Sequence, residues 1–551
     1  MGVGAPHRRS REAGALTRMI VYENSLIESQ RLSIQADIDT RKSAAERNRL
    51  GQFATPNALA IDIARYVESI FALSRNQTEI RFADPAVGSG SFYSAALAIF
   101  GSRRIKSAVG VELDPAFSEA ARSLWSSAGL DVVQGDFTQI VANGACPCAP
   151  NLILANPPYV RHHHMSREDK ARLQAQTVRL TGFEVNGLAG LYVYFLLLAT
   201  SWMEDGGIAA WLIPSEFMDV NYGAALREFL ANRVTLIRMH RFDPDETQFG
   251  DALVSSAVLV LRKAIPAANH AVECTFGGTL ADPHARELVP RLQLHESRKW
   301  TVYPSHTKND RHTLGDGTGP TLGDFFRVQR GIATGCNKFF ILDRADAKAR
   351  RLPDNFLRPV LPSPRQLKTT IIDADADGYP VLDQQLCVLD CDLPELMVAE
   401  KYPALWEYLQ TAKSLGIMDG YLVGKRTPWY KQEWRDPPLF LCTYMGRGTN
   451  DKQPFRFIWN RSKAIATNLY LMLYPQNRIA AMLRQYPERA ETIHNLLGQV
   501  TGHELRGEGR VYGGGLNKIE PSELARISAT ALVARWPEIE CDVQPQGRLF
   551  G

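Results

Sequence analysis

The sequence predicts an α/β protein: an open sheet of seven strands in the front half of the chain, followed by a mixed α/β second domain. Two observations carry this, and length supports them. Strand and helix patterns alternate between residues 79 and 262, the signature of βαβ units. The apolar run Leu152-Ile153-Leu154-Ala155 stops at Asn156-Pro157-Pro158-Tyr159, and two prolines cannot continue a sheet ladder. At 551 residues the chain exceeds one ordinary core, so further domains are expected.

Composition bounds the class. With 45% hydrophobic and 22% charged residues the chain reads as soluble and globular. The apolar run Leu191 to Thr200 is too short to span a bilayer, and the N-terminus has arginines without an apolar h-region, so neither a membrane segment nor a signal peptide is expected. Eight cysteines form no disulfide framework, which fits the cytoplasm. Cys146/Cys148 and Cys387/Cys391 lack the paired spacing of a zinc site, so no metal is expected. Residues 51–250 carry 16 Lys/Arg and 20 Asp/Glu, a net of −4, whereas 401–500 carry 14 and 7, a net of +7. The basic rear admits a polyanionic partner, and charge alone equally admits a solvated surface.

The elements then follow in order. Residues 1–49 read as a helical extension, with amphipathic helices between Tyr22 and Arg49 and no assigned chemistry. Gly51-Gln52-Phe53-Ala54-Thr55-Pro56 leads into a helix from Leu59 to Phe71, with Thr55 as N-cap and Pro56 at its first position; such a helix start can hold a carboxylate. A strand through Glu79–Ala83 enters Asp84-Pro85-Ala86-Val87-Gly88-Ser89-Gly90 and a helix to Phe100. The second strand, Ser107 to Val111, ends in Glu112, placed to bridge ribose hydroxyls. Gly-x-Gly with a strand-terminal acid about twenty residues on points to an adenosine-containing cofactor. A third strand, Leu130 to Val133, is followed by Asp136, suited to accept from an adenine amino group, and Phe137, suited to stack on the ring.

The fourth strand presents Asn156 to Tyr159, an arrangement suited to hold a planar primary amine: Asn156 Oδ1 and the Pro157 carbonyl accept its two N–H groups, and Tyr159 lies against the attached ring. A tight β-turn with a packed tyrosine would use the same residues. Arg161-His162-His163-His164 reads as a phosphate-facing loop. After the helix from Leu191 come strands Ile208–Ile213, Val234–His240 and Ser255–Arg262, the last one antiparallel and preceded by a loop holding Phe249. Residues 266–324 read as a connector and 325–551 as the second domain. There Lys425 to Arg461 interleaves basic residues with Trp429, Tyr430, Trp434, Tyr444, Phe455, Phe457 and Trp459. That pattern suits nucleic acid and equally suits core-facing strands with a wet face. A helix is expected over Leu524 to Trp536.

In this order the motifs resemble the gamma class of adenine-N6 DNA methyltransferases, the TaqI-like group: Phe53-Ala54-Thr55-Pro56, Asp84-Pro-x-x-Gly88-x-Gly90, Glu112, Asp136, Asn156-Pro-Pro-Tyr159 and the late aromatic Phe249. The likeness is close over residues 50–263 and looser over 325–525, where Gly331-x-x-Thr334-Gly335 and Gly513 to Pro521 are similar to the family's target recognition domain. It implies a class I S-adenosylmethionine-dependent methyltransferase (Rossmann-like) domain over 50–265 and a DNA target recognition domain over 325–551. The cofactor would be held by Thr55, Asp84, Gly88, Gly90, Glu112, Asp136 and Phe137. A flipped adenine would be bound by Asn156 and Pro157 and sandwiched by Tyr159 and Phe249. The partner implied is double-stranded DNA, with a separate restriction endonuclease sharing the site and the methylase a monomer or weak dimer. Other planar amines keep the same geometry in play: cytosine N4, RNA adenine or a glutamine amide. A different class is a non-catalytic cofactor-binding protein on DNA.

Overall fold

A computed structural model describes residues 26–73, 79–140, 148–243, 255–304, 319–447, 454–512 and 516–539. The described residues form two compact units, one within residues 1–307 and one within residues 308–551.

The first unit is built on one nine-stranded sheet, ordered β3-β2-β1-β4-β5-β7-β6-β8-β9. Its strands are β1 Ile80–Asp84, β2 Ile105–Glu112, β3 Leu130–Gln134, β4 Leu152–Ala155, β5 Ile208–Pro214, β6 Thr235–Arg241, β7 Ser256–Arg262, β8 Ala271–Gly278 and β9 Pro283–Pro290. The five strands β3-β2-β1-β4-β5 pair in parallel, and β7 runs antiparallel between β5 and β6. Interior strands buried on both faces need unbroken apolar sequence, and every residue of β4 and β5 is buried. Helix Asn57–Leu73 lays Leu59, Ile63, Val67 and Ile70 onto one face of the sheet. Helix Leu191–Trp202 is buried almost all round against the other.

The expected seven strands and their antiparallel end are present, but the connector is not. Residues 271–290 form two more strands, β8 parallel to β6 and β9 antiparallel to β8. Their prolines and glycines sit at strand ends and turns, which is where a sheet tolerates them. β9 is the sheet edge and carries a proline at each end, a guard against further pairing.

The second unit holds a five-stranded sheet that includes Phe326–Arg330, Phe440–Thr443, Phe457–Asn460 and Tyr470–Pro475, and a smaller sheet around Leu386–Leu389. Helices Asn477–Gln485 and Arg489–Gly498 cover the first of these cores. The apolar stretch expected as one helix over 524–536 is broken instead: Pro521–Leu524 and Thr530–Arg535 are separate helices. Among the described residues, no helix is long and apolar enough to cross a membrane.

Candidate active site at the sheet edge

Because β1 to β4 run parallel, Asp84, Glu112, Asp136 and Asn156 all fall at or just beyond one edge, the C-terminal one, where open α/β sheets bind ligands. The β1 turn is shaped by Gly88 and Gly90, both left-handed at φ 56° and 90°. A Cβ on Gly90 would lie 2.3 Å from the Trp125 indole nitrogen, so only glycine fits there. Asp84 is buried, and its Oδ1 accepts from the Ala86 amide at 3.0 Å. Burial pushes its carboxyl up to about 8, with the Glu112 charge adding to the shift and the Ala86 N–H opposing it. Glu112 closes the turn from β2, accepting from the Gly88 amide at 2.9 Å and the Asp114 amide at 2.8 Å. Burial also raises its carboxyl, although those N–H groups pull the other way.

Beyond β3 the arrangement differs from expectation. Asp136 Oδ1 caps a short helical turn through the Thr138 amide (2.9 Å) and hydroxyl (2.8 Å), and Oδ2 accepts from Gln139 at 2.8 Å. Phe137 is 3% exposed and packs against Phe195 and Trp202, at centroid distances of 5.0 and 4.8 Å. Its ring is a core residue and cannot stack on a ligand. The turn directs it inward because the next residues wind as a 3-10 helix rather than continuing the strand.

At the end of β4, Asn156 Nδ2 donates to the Phe53 carbonyl at 2.9 Å and the Thr55 hydroxyl at 3.0 Å. A carbonyl can only accept, so the amide nitrogen must face Phe53 and Oδ1 must face away. Oδ1 is buried and has no hydrogen-bond partner among the described residues. Thr55 is therefore not the N-cap of its helix: that helix begins at Asn57, and the Thr55 hydroxyl turns to Asn156 instead. Tyr159 is 7% exposed; its hydroxyl donates to the Leu212 carbonyl at 3.1 Å and its ring meets Phe53 at 5.5 Å. Burial raises its phenol well above the ordinary value, so the group stays protonated and orients the ring. Pro157 is buried beside it. Phe249 lies outside the described residues. His162 to His164 form an outward 3-10 turn; burial, then the neighbouring positive charges, keeps His162 and His163 below their ordinary value.

Three contributors were not singled out from sequence. Gly51, at φ 65°, accepts from the Tyr159 amide at 3.0 Å, and a Cβ there would sit 2.4 Å from that nitrogen. Leu113, between Glu112 and Asp114, is 67% exposed at the same edge. The helix over residues 26–40 reaches the Gly-x-Gly turn through Arg31, which is 1% exposed. A large apolar residue between two acids after a strand is a readable signal for Leu113; the helix contact has none.

A sheet of this order, with a glycine turn after β1 and an acid ending β2, is the class I methyltransferase fold. Comparison with known proteins narrows this. Residues 151–249 match the family Eco57I restriction-modification methylase, and residues 298–544 match the family type II methyltransferase M.Eco57I, C-terminal domain. The chain is 29% identical over 470 residues to type II methyltransferase M.XamI of Xanthomonas campestris pv. amaranthicola, covering 84% of this chain and 82% of that protein. It is 23% identical over 519 residues to M.AccI of Acinetobacter calcoaceticus, covering 89% and 87%. The type IIL restriction-modification enzyme MmeI, solved in complex with DNA, shares the fold at a TM-score of 0.54 and 12% identity, over 79% of this chain and 64% of that one. Along most of its length the chain is thus similar to restriction-modification methyltransferases.

Proposed function

We propose that the protein transfers a methyl group from S-adenosylmethionine to N6 of an adenine flipped out of a specific double-stranded DNA sequence, as the methylase of a type II restriction-modification system. One observation carries this reading: the buried, partnerless Asn156 Oδ1, oriented by the two bonds of its own amide nitrogen. A buried acceptor without a donor costs about 1–3 kcal/mol, and an incoming amine N–H removes that cost. A ring amine meets it once the base leaves the duplex.

The cofactor supplies an electrophilic methyl group when bound. The Gly88–Gly90 turn lets the backbone approach it, and Glu112 keeps lone pairs for ribose hydroxyls, while Asp136 is occupied in capping its own turn. Exposed Leu113 offers the apolar face that Phe137 cannot. Asn156 and the Pro157 carbonyl accept the two N6 hydrogens. This draws the nitrogen lone pair out of conjugation and aims it at the methyl; the catalysis is orientation and electrostatics. Tyr159 and Phe249 flank the base.

DNA selection falls to the second unit. Its interleaved aromatics are largely core: Trp429, Tyr430, Tyr444, Phe455 and Phe457 are buried, and Trp459 is partly so. Arg426 and Arg456 donate to backbone carbonyls, at 2.8 Å to Thr334 and 2.7 Å to Leu367. Trp434 differs, 68% exposed with Arg358 over its ring at 4.0 Å. Phosphate contact then rests on exposed cations such as Lys338 and Lys431. Mass spectrometry of DNA digested after reaction tests the proposal: N6-methyladenine is expected, and N4-methylcytosine or unmodified DNA would overturn it.

A further inference from the structure

The Gly-x-Gly turn has its serine, Ser89, pointing away from the sheet edge and into the helix over residues 26–40. Arg31 Nη1 donates to Ser89 Oγ at 3.0 Å, and Ser89 Oγ donates to Gln35 Oε1 at 2.7 Å. The rest of the guanidinium is held in a two-pronged grip by Glu28, through Nε at 2.9 Å and Nη2 at 2.6 Å. Glu28 Oε2 also accepts from Ser94, in the helix that leaves the turn, at 2.6 Å. Arg31 is 1% exposed and Ser89 2%. From the other side, Trp125 Nε1 donates to the Ser89 carbonyl at 2.9 Å.

The same segment grips the end of β2. Lys42 pairs with Asp114, two residues past Glu112, and Gln52 Nε2 donates to the same carboxylate at 3.2 Å. Burial would raise the Asp114 carboxyl, but these partners win and hold it below the usual range. Ile38 packs with Phe117 and Ala120 of the following helix. Both walls of the cofactor site are thus fastened to a segment outside the βαβ unit.

We propose that residues 26–42 are a clasp that sets cofactor affinity, with Arg31 as a positioning residue for the Gly88–Gly90 turn. This rests on the reading that the sheet edge binds S-adenosylmethionine. A buried guanidinium bound bidentately has one orientation, so it fixes Ser89 and with it the two left-handed glycines that flank it. Without it, the turn must be ordered at the moment of binding, and affinity falls by that cost. Linkage requires the converse: bound cofactor should protect the clasp.

The test uses the full chain, with calorimetry against S-adenosylmethionine and hydrogen exchange on residues 26–42 and 86–94. Ser89→Ala removes one neutral partner, and Glu28→Gln with Arg31→Met removes the charge pair together, so neither leaves a buried charge alone. Each should weaken cofactor binding about ten-fold. KM for the cofactor should rise while kcat and DNA affinity hold, with exchange over 86–94 faster without cofactor. Arg41→Ala, just past the end of that helix and paired with exposed Asp37 rather than with the turn or β2, should change nothing. Arg31→Lys should recover part of the loss. If the wild type binds cofactor and the clasp variants bind it equally, or if cofactor leaves exchange over 26–42 unchanged, the clasp is overturned. A wild type that does not bind S-adenosylmethionine overturns the underlying reading instead.

Discussion

Two strand ends on the same sheet edge carry the same kind of sequence, a short polar residue followed closely by an aromatic, and the fold treats them in opposite ways. After β3, both oxygens of Asp136 accept hydrogen bonds, from Thr138 and Gln139, and Phe137 is buried between Phe195 and Trp202. After β4, Asn156 spends its nitrogen on Phe53 and Thr55 but keeps Oδ1 buried and unpaired. The first pair builds the turn it sits in. The second is held by a distant segment, residues 51–55, so that one atom remains for something else. At a sheet edge, what distinguishes a ligand group from a turn group is an unmet hydrogen-bonding capacity, not residue type.

The largest effect expected tests the β4 side. Asn156→Ala should lower turnover by at least roughly 10²- to 10³-fold, the range seen when one preorganised polar group is removed from a reacting centre. Cofactor affinity and melting temperature should stay close to wild type. Steady-state assays of methyl transfer beside calorimetry check this; near-normal turnover would reduce the turn to a structural one.

The β3 side should respond the other way round. Phe137→Ala empties a packed site and should cost about 3–5 kcal/mol of stability. The loss should appear in urea melts, while cofactor affinity per folded molecule changes little. A variant that stays stable but loses affinity would return Phe137 to the adenine pocket.

The comparison also explains what could be read from the residues. Proline dictates local geometry directly, so Asn156-Pro-Pro-Tyr159 announced the end of β4, and the glycines at 88 and 90 announced the β1 turn. The order of strands and acids then located the edge. Phe137 misdirects, and the aromatics of 425–461 stay open between core and nucleic acid, because an aromatic ring carries no local signal of which way it turns; distant packing partners decide that. The region 266–324 reads as a connector because glycine and proline stand at the ends of β8 and β9 and mask the strands between them. Thr55 and Arg31 depend on contacts more than fifty residues away, with Asn156 and Ser89. Neither partner is visible in a local window.

Glu112 stands between the two cases: each oxygen already accepts one backbone N–H, yet a carboxylate has lone pairs to spare. Glu112→Ala should therefore do both things in moderation, weakening S-adenosylmethionine binding by about 10- to 100-fold and loosening the Gly88 turn. Glu112→Gln keeps the acceptor oxygen but replaces the other with a donor that faces a backbone N–H. Calorimetry should rank wild type, Gln and Ala in that order; equal affinity in all three would confine Glu112 to the turn.

The smallest effect concerns Asp84, whose buried carboxyl has spent Oδ1 on Ala86 and titrates at about 8. The folded value lies above the ordinary carboxylate range, so the folded state binds the proton more tightly than the unfolded chain does. Its contribution is then fully present below the ordinary range and is lost as pH rises through about 8. Asp84→Asn keeps the oxygen that accepts from Ala86 and cannot ionise. Near pH 4 the variant should match wild type or fall slightly below it. By pH 9 it should be clearly the more stable of the two, because the wild type must then bury a charge beside Glu112. Urea melts across that range give the difference directly. A gap that stays constant with pH would mean that Asp84 ionises as easily folded as unfolded. The burial at the end of β1 would then be relieved by some partner in solution, and Asp84 would join Asp136 as a group whose capacity is already met.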